Sequence, residues 1–316
     1  METTRHHEIS QWIRTRASEL GFAACGISEA TFLESEEKRL NHWLMQGYHG
    51  EMGYMTRYSD KRLDPRHLLP DARSVISVLM NYLPGEHLPD KNNYKIAKYA
   101  YGKDYHLVIR DRLNLFIEEI RARAGEFQAR AFTDSAPVMD KAWAERAGLG
   151  WIGKNTCLIH PKLGSFVFIG EIITDLELEY DQQQVNDLCG GCACCIEACP
   201  TGAFIEPRML DARKCISYYT IEYRGELPTG EKDNFKDWIF GCDICQDVCP
   251  WNRQAKANSE DAFRPDQALR EMTKTRWEQL TTDQFNDLFR ESAVKRSKFI
   301  GLKRNIHFLK DNQSLA

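Results

Sequence analysis

Two cysteine runs decide the fold of this chain. The first reads Cys189-Gly-Gly-Cys192-Ala-Cys-Cys195-Ile-Glu-Ala-Cys199-Pro200, which is C-x2-C-x2-C-x3-C-P. The second reads Cys242-Asp-Ile-Cys245-Gln-Asp-Val-Cys249-Pro250 and repeats the C-x2-C-x3-C-P ending. Its missing first cysteine is displaced, and we interpret Cys215 as that residue, with a loop inserted between it and Cys242.

This spacing is typical of the thiolates of bacterial two-cluster ferredoxins. In that pattern three close cysteines bind one [4Fe–4S] cubane, and the fourth, which precedes a proline, binds the other cubane. We therefore predict two [4Fe–4S] clusters. The predicted ligands are Cys189, Cys192, Cys195 and Cys249 for the first cluster, and Cys215, Cys242, Cys245 and Cys199 for the second.

Other uses of these cysteines explain the pattern less well. A zinc ribbon also employs paired C-x2-C motifs, but it does not account for two C-x3-C-P endings. Disulfides belong to oxidising compartments, and nothing in the sequence indicates one. Cys25, Cys157 and Cys194 remain outside both sets, and we interpret each as a small packed residue.

The composition is that of an ordinary soluble protein. The chain has 316 residues, of which 42% are hydrophobic and 28% charged, and this predicts about two domains. Eleven cysteines without a signal peptide indicate a reducing cytoplasm. No apolar run approaches the roughly 18 residues of a membrane span, so no membrane partner is expected. A net charge of −4 excludes a global basic field for nucleic acid.

Apolar periodicity divides the chain into three parts. Helical spacing covers residues 6–21, 30–47, 106–124 and 138–147, and short apolar runs predict strands over 22–27, 75–80, 127–132 and 166–174. This alternation predicts an α/β domain over residues 1–180. Residues 181–255 form the ferredoxin-like segment, and residues 256–316 carry a helical pattern over 262–310.

Two clusters fused to a larger domain suggest electron delivery to a fixed acceptor. A ferredoxin alone does not need the other residues, about 240, which exceed a typical domain. We therefore expect a second redox centre within residues 1–180. The sequence contains no G-x-G-x-x-G and no P-loop, so a nicotinamide site of the Rossmann type is not supported.

Six longer segments of the chain form distinctive motifs. These are residues 48–55 (YHGEMGYM), 99–106 (YAYGKDYH), 132–144 (FTDSAPVMDKAWA), 148–155 (GLGWIGKN), 214–222 (KCISYYTIE) and 242–252 (CDICQDVCPWN). Together they resemble the motifs of epoxyqueuosine reductases, the cobalamin-dependent iron–sulfur enzymes of tRNA queuosine synthesis, and the resemblance spans about residues 20 to 305.

The resemblance implies a fold and a reaction. The fold is a nitroreductase-like cobalamin-binding domain followed by the ferredoxin-like domain and a short helical C-terminal segment, a mixture of α/β and α+β. Electrons pass through the two cubanes to cobalamin, and epoxyqueuosine at the wobble position of a tRNA is reduced to queuosine. The implied partners are that tRNA and an unidentified low-potential electron donor, and the chain is expected to be monomeric.

Epoxide opening leaves an alkoxide that needs a proton. A carboxylic acid in a largely apolar pocket can supply it. In the motif Thr133-Asp-Ser-Ala-Pro137 the resemblance assigns this general-acid role to Asp134. The residues alone favour another role, in which Asp134 or Ser135 caps the helix that follows, and the resemblance reverses this preference. Asp140 falls within that helix and is interpreted as structural.

The resemblance also indicates polar contacts to cobalamin. The candidates are Arg57, Lys154, Asn155, Ser217, Tyr218, Asp243 and Asp134. Turns favour such residues for structural reasons too, so an ordinary turn role stays open for each. The D-x-H-x2-G motif of other cobalamin proteins is absent, because Ile109 follows Asp104 and His106 where glycine is needed. The resemblance implies base-off cobalamin without a histidine ligand.

A basic segment near the end of the chain is the candidate contact for tRNA phosphates. It contains Lys295, Arg296, Lys298, Lys303 and Arg304, and a run of charges of this kind usually forms a solvated helical face instead. Many family members continue into helical repeats, whereas this sequence stops at Ala316. This puts part of the family's usual contact with tRNA in doubt. Two other functions stay open: a reductive dehalogenase-like enzyme acting on a small organohalide, and a non-catalytic electron-transfer module.

Overall fold

The computed structural model describes residues 2–89, 91–181 and 185–310. The α-helices are α1 Glu2–Glu19, α2 Glu34–Met45, α3 Ser59–Leu63, α4 Tyr105–Ala124, α5 Asp140–Arg146, α6 Cys194–Glu197, α7 Ile216–Ile221, α8 Ile244–Asp247, α9 Gln267–Arg270, α10 Lys274–Glu278, α11 Thr282–Leu288 and α12 Lys298–Leu309. The strands are β1 Ala24–Glu29, β2 Ser74–Asn81, β3 Lys95–Ile96, β4 Ala129–Phe132, β5 Trp151–Ile152, β6 Leu158–Ile159, β7 Val167–Thr174, β8 Phe204–Glu206, β9 Met209–Leu210 and β10 Trp238–Phe240. Short 3-10 helices cover Gly53–Thr56, Pro65–His67, Lys98–Ala100, Ala212–Lys214, Thr229–Phe235, Pro250–Asn252, Asp261–Phe263 and Ala293–Ser297.

A four-stranded sheet with the order β1-β2-β7-β4 forms the centre of the first half of the chain. Each neighbouring pair is antiparallel. Strands β2 and β7 are buried along nearly their whole length because helices cover both faces of the sheet. The antiparallel pairing makes α+β the more accurate of the two labels, since a true α/β unit has parallel strands.

Helices pack against the sheet on both sides. On one face α1 and α4 bury Ile13, Ile109 and Phe116 against Ile76 and other sheet residues. On the opposite face α5 buries apolar side chains in two adjacent clusters, one with Val75 and Ile173 of the sheet and one with Leu79. Residues of β7 therefore alternate between two covered faces, and a polar side chain on this strand has no access to solvent.

A second core joins the insertion between Cys215 and Cys242 to the C-terminal helices. It contains Phe235 and Phe240 from the insertion and Trp277, Phe289 and Leu302 from the C-terminal helices. Strand β10 also pairs in parallel with β3 of the first half. The domain boundaries at residues 180 and 255 stay a prediction, and the packing of the described residues crosses both.

The predicted fold class is confirmed in outline, with shifted element boundaries. The mixed α and β first half, the double-cysteine segment and the C-terminal helices follow one another as expected. The helix expected over residues 138–147 is shorter, since it begins at Asp140. No helix within the described ranges is both long and apolar enough to cross a membrane. The chain end, residues 311–316, lies outside the described residues.

The basic segment is not one uniform charged face. Arg304 turns inward, where its guanidinium donates to the backbone carbonyls of Tyr219, Tyr223 and Gly225 at 2.7–2.8 Å. Lys303 donates to the carbonyl of Glu278. Both residues therefore anchor α12. The expectation of a phosphate contact is wrong for Arg304, because its guanidinium nitrogens are all engaged inside the protein.

We expect Arg304→Lys to lower the free energy of unfolding by about 2–3 kcal/mol. A lysine cannot reproduce three hydrogen bonds from one planar guanidinium, and the carbonyls of the insertion would lose a charged donor. Anaerobic denaturant titration measures the change. The matched control is Arg290→Lys at a position 76% exposed, which should stay within about 0.5 kcal/mol of wild type. Equal stability of both variants would contradict the anchoring role.

Candidate active site

The structure brings the cysteines together in the two predicted sets. Burial together with neighbouring Cys249 and Cys189 raises the pKa of Cys195 to about 11, and Cys192 also lies close by. We call Cys189, Cys192, Cys195 and Cys249 the outer set. Cys215, Cys242, Cys245 and Cys199 form the inner set, in which Cys242 lies near Cys215 and Cys199, and Cys245 lies near Cys215 and Cys242.

The surroundings of these sulfur atoms fit metal-bound thiolates. Hydrogen bonds to cluster sulfurs are a feature of iron–sulfur sites. Trp151 directs its indole N–H at the sulfur of Cys189 at 3.4 Å, and the backbone N–H of Ala203 does the same for Cys199 at 3.4 Å. Backbone N–H groups of the following turns reach Cys215, Cys242 and Cys249. The described residues contain no group of three His, Cys, Asp or Glu arranged around a single metal ion.

The three remaining cysteines have different surroundings. Cys25 is packed within the first half of the chain, where burial raises its pKa to about 12. Cys157 contacts Cys245 of the inner set, and Cys194 lies beside Cys192 of the outer set. The interpretation of all three as packed non-ligands stays a prediction.

A cavity of about 860 Å³ lies between the sheet and the inner cysteine set. Its apolar floor comes from β7 and α4, where the rings of Tyr105 and Phe168 stack at 4.2 Å with an angle of 6° between them. Cys215 and Ser217 belong to the opposite wall, and Lys295 and Arg296 lie at the rim. The volume is near the upper end of the range for cofactor sites, roughly 300–1,000 Å³.

Asp134 extends into this cavity from the loop between β4 and α5. Its carboxylate accepts a hydrogen bond from the hydroxyl of Tyr105 at 2.5 Å and lies 3.9 Å from Nε2 of His106. The side chain is 69% exposed. The capping alternative is wrong, because Met139 occupies the N-cap of α5 and no side chain caps that helix. Asp134 is therefore free to face a ligand.

A second pair supports Asp134 from the start of α4. Nδ1 of His106 lies 2.7 Å from a carboxylate oxygen of Asp104, which also accepts from the backbone N–H of His106. Burial lowers the pKa of His106, but the bond to Asp104 and the charge of Asp134 outweigh it, so the net pKa is raised. Burial and the adjacent Asp134 hold the pKa of Tyr105 far above its usual range, so this hydroxyl stays protonated.

The predicted cobalamin contacts fall into two groups. Ser217 and Tyr218 on α7 line the cavity with Asp134. The hydroxyl of Tyr218 accepts from the N–H of Glu51, and it packs so closely on Gly50 that a Cβ there would lie 2.5 Å from the hydroxyl oxygen. Only glycine suits this position, which also has a φ of +57°.

The other four candidates lie elsewhere. Arg57 is exposed and is not part of the cavity wall in the described structure. Lys154 donates to the carbonyls of Gly190 and Cys192, and Asn155 to that of Cys245, so both hold cysteine loops in place. Asp243 is 2% exposed and accepts from the N–H of Lys98; burial raises its pKa to about 6. Their roles as cobalamin contacts stay predictions.

Sequence reasoning missed the groups that surround Asp134. Asp104 and His106 match part of an incomplete cobalamin motif, and Tyr105 lies with them in the family-like segment 99–106, but neither pattern predicts that the three residues approach Asp134. Asp140 was interpreted as structural, yet it also lines the cavity. The sequence offers no cue that Asp140 and Asp134 face the same space.

The fold and the cavity define a redox protein in which a double-cysteine ferredoxin-like segment adjoins a cofactor-sized cavity with a carboxyl group inside it. Two family models match the chain: epoxyqueuosine reductase QueG, DUF1730, at residues 62–135, and the 4Fe-4S double cluster binding domain at residues 188–252. The second match agrees with the prediction of two [4Fe–4S] clusters.

Similar proteins extend the match to nearly the whole chain. An epoxyqueuosine reductase of Cellulophaga algicola is 54% identical over 310 residues, covering 98% of this chain and 100% of that protein. A crystal structure of epoxyqueuosine reductase with an epoxyqueuosine-modified tRNA-Tyr stem loop has a TM-score of 0.87 at 28% identity, covering 96% of this chain and 80% of that one. The Bacillus subtilis enzyme with its Asp134 catalytic loop swung out of the active site has a TM-score of 0.86 at 27% identity, covering 96% and 81%.

The chain belongs to the epoxyqueuosine reductase family. The identity to the Cellulophaga algicola protein over almost the full length of both chains establishes this. The resemblance inferred from the sequence motifs is thereby confirmed, and so is the prediction of an oxidoreductase.

We expect Cys195→Ala to lower the iron content from about eight to about four atoms per chain, because a cubane takes four thiolate ligands. Anaerobic purification with iron and sulfide analysis measures this. The neighbouring variant Cys194→Ala is the matched control and should keep about eight. Loss of iron in Cys194→Ala with retention in Cys195→Ala would reverse the assignment of the two thiols.

Proposed function

We propose that this protein reduces epoxyqueuosine in a tRNA to queuosine. The observation that carries the proposal is the position of Asp134 within a cofactor-sized cavity that Cys215 of the inner set also lines. The cavity thus has a proton donor at one wall and a ligand of the electron path at the other. Family membership supports the same substrate, since relatives carry the name epoxyqueuosine reductase.

Cobalamin is the cofactor we propose for the cavity. The space is large, the floor is flat and aromatic, and Ser217 and Tyr218 would hold the group from the α7 side. When bound, cobalamin supplies a strongly reducing cobalt centre that can open an epoxide. The histidine at the cavity wall, His106, is held by Asp104 and faces Asp134. This arrangement agrees with the proposal that no histidine of the chain binds cobalt.

The two cysteine sets define a path for electrons. The outer set includes Cys189 and Cys192, between which Gly190 and Gly191 are exposed to solvent and a low-potential donor could approach. The inner set reaches the cavity through Cys215. Because each turnover needs two electrons and a cubane transfers one, the donor must deliver electrons in succession.

Proton transfer falls to the chain's own residues. Conversion of the epoxide to an alkene consumes two electrons and two protons and releases the oxygen as water. We assign the proton that reaches the epoxide oxygen to Asp134, and Tyr105 orients this carboxyl through its hydrogen bond. His106, with a raised pKa and 3.9 Å from Asp134, is the group placed to return a proton after each transfer.

The rim of the cavity offers a basic entrance for RNA. Lys295 and Arg296 line the rim. Lys298 follows two residues after Arg296 and is exposed to solvent. Arg296 also pairs with Glu222 and lies over the ring of Tyr54. Its positive charge is therefore partly neutralised, and it is less suited than Lys295 to a phosphate contact. We propose that Lys295 and Lys298 contact tRNA phosphates. An anticodon loop suits such a site, because its bases leave the stack easily.

We expect Asp134→Asn to lower kcat by about 10²–10⁴-fold, the usual contribution of a general acid. Turnover of epoxyqueuosine-containing tRNA is followed by nucleoside analysis, with iron and cobalt measured in the same sample. Cluster and cobalamin contents should stay at wild-type levels, because an amide conserves the shape of the side chain. Asp111→Asn, at an exposed position on α4 outside the cavity, is the control.

Three outcomes would contradict this assignment. Full activity of Asp134→Asn would remove this residue from the mechanism. About eight irons without cobalt, after purification with added cobalamin, would favour a non-catalytic electron-transfer module. Turnover of a small organohalide without any tRNA complex would favour the dehalogenase-like function.

We expect Lys295→Ala to weaken binding of a tRNA stem loop and to reduce the slope of log K against log[salt] by about 1, since one phosphate contact is lost. Fluorescence anisotropy over a range of salt concentrations measures both quantities. Lys38→Ala, on the exposed side of α2, should leave the slope unchanged. An equal slope for wild type and Lys295→Ala would rule out this phosphate contact.

A further inference from the structure

A pair of carboxyl groups lies beneath the Asp134 loop, one from the fully buried Glu171 and one from the half-buried Asp140. Glu171 is at the middle of β7, is 0% exposed, and neither of its carboxyl oxygens accepts from an N–H or hydroxyl donor. Its neighbour is the side chain of Asp140, the first residue of α5. In the sheet ladder Glu171 pairs with Phe132, two residues before Asp134, so the pair sits directly below the place where the loop begins.

Two carboxylates in contact inside a protein cannot both be charged at modest cost. Burial and the charge of Asp140 hold the pKa of Glu171 well above its usual range. Burial also raises the pKa of Asp140 to about 6, while its bond with Glu171 favours the charged form. The two pKa shifts thus favour one shared proton, placed on Glu171 and donated to Asp140.

Two charged groups face this pair from other elements. Arg62 on α3 is 8% exposed, donates one N–H to the carbonyl of Tyr54, and attracts Asp140 electrostatically. The carboxylate of Asp134 faces both members of the pair and repels them. Asp140 is thus charged between a positive and a negative neighbour, and the proton on Glu171 prevents a third negative charge.

The pair reaches Asp134 through its backbone. A carboxylate oxygen of Asp140 accepts from the N–H of Asp134 at 3.4 Å. Asp134 has a φ of +46°, in the left-handed region that a residue with a side chain seldom adopts without support from its surroundings. The bond to Asp140 is one such support, and the hydrogen bond from Tyr105 to the Asp134 carboxylate is another.

We propose that Glu171 and Asp140 are positioning residues which, by sharing one proton, hold the backbone of Asp134 and keep its carboxyl group against Tyr105. The importance of this position for turnover rests on the function proposed above for Asp134. As the pH rises through the raised pKa of Glu171, the pair gains a second negative charge. Asp140 is then repelled from its place, and the loop over residues 133–139 loosens.

Hydrogen–deuterium exchange of the amides in residues 132–139 tests this directly in the cluster-loaded protein, with and without cobalamin. After correction for the intrinsic pH dependence of exchange, we expect wild type to lose protection as Glu171 ionises. The loss should be about tenfold for each pH unit by which the contact with Asp140 raises the pKa of Glu171. Glu171→Gln still donates to Asp140 but cannot ionise, so protection should persist at high pH. Glu171→Leu has no donor, so exchange should be fast at every pH.

Turnover gives the second measurement. Glu171→Gln should lose the part of the alkaline fall of kcat that follows ionisation of Glu171 and keep the part that follows deprotonation of His106, whereas Glu171→Leu should lower kcat with little change in KM for tRNA. Glu177→Gln, at an exposed position just beyond β7, is the control and should match wild type in both exchange and pH profile. A merely structural role for Glu171 would change stability without removing the pH dependence in the glutamine variant.

The outcomes separate this inference from the proposed function. Wild-type exchange in Glu171→Leu, or an unchanged alkaline loss of protection in Glu171→Gln, would overturn the positioning role even if tRNA turnover is normal. The expected exchange pattern together with no turnover in any variant would support the positioning role and overturn the function. Should Glu171→Leu fail to fold, the glutamine variant alone decides the question.

Discussion

The rest of the structure depends on one constraint: the last cysteine of each run lies with the cysteines of the other run. Cys199 ends the first run but lies with the inner set, and Cys249 ends the second run but lies with the outer set. Neither set is complete without the other run, so the two runs are tied together. Helices α6 and α8, which begin one residue before Cys195 and Cys245, also pack against each other.

This tie also explains the position of the inserted loop. Cys215 belongs to the inner set but stands far ahead of Cys242 in the sequence, so the chain between them must leave the cysteine segment and return. It does so through α7 and β10, which pack with the C-terminal helices in one core. Because α7 follows Cys215 immediately, its side chains Ser217 and Tyr218 come to the cavity wall next to the inner set. The insertion thus connects the predicted cluster ligands to the wall of the cavity.

Electrostatics at the opposite wall follow from burial. The sheet between two helical layers leaves no solvent for Glu171, so burial raises the pKa of this side chain well above its usual range, and Asp140 faces the guanidinium of Arg62. Tyr105 and His106 at the start of α4 approach Asp134 from the other side. The loop with Asp134 therefore lies between two polar groups that originate from different layers of the fold, and its unusual backbone conformation is maintained by both.

The sequence by itself determined the family and the mixed α and β class, and it predicted the cysteine ligand sets and the role of Asp134. Cysteine spacing is a local property that reports metal binding directly, and the alternation of apolar residues reports helices and strands. Only the tertiary structure decided which side chains share the cavity. Asp104, His106 and Asp134 are separated by a helix and a strand in the chain, and Glu171 joins Asp140 through the pairing of β7. Such contacts depend on which elements pack together, and no local pattern encodes that. Packing also explains why two residues of the same basic segment differ. Lys295 lies at the cavity rim, whereas the guanidinium of Arg304 donates to backbone carbonyls inside the protein.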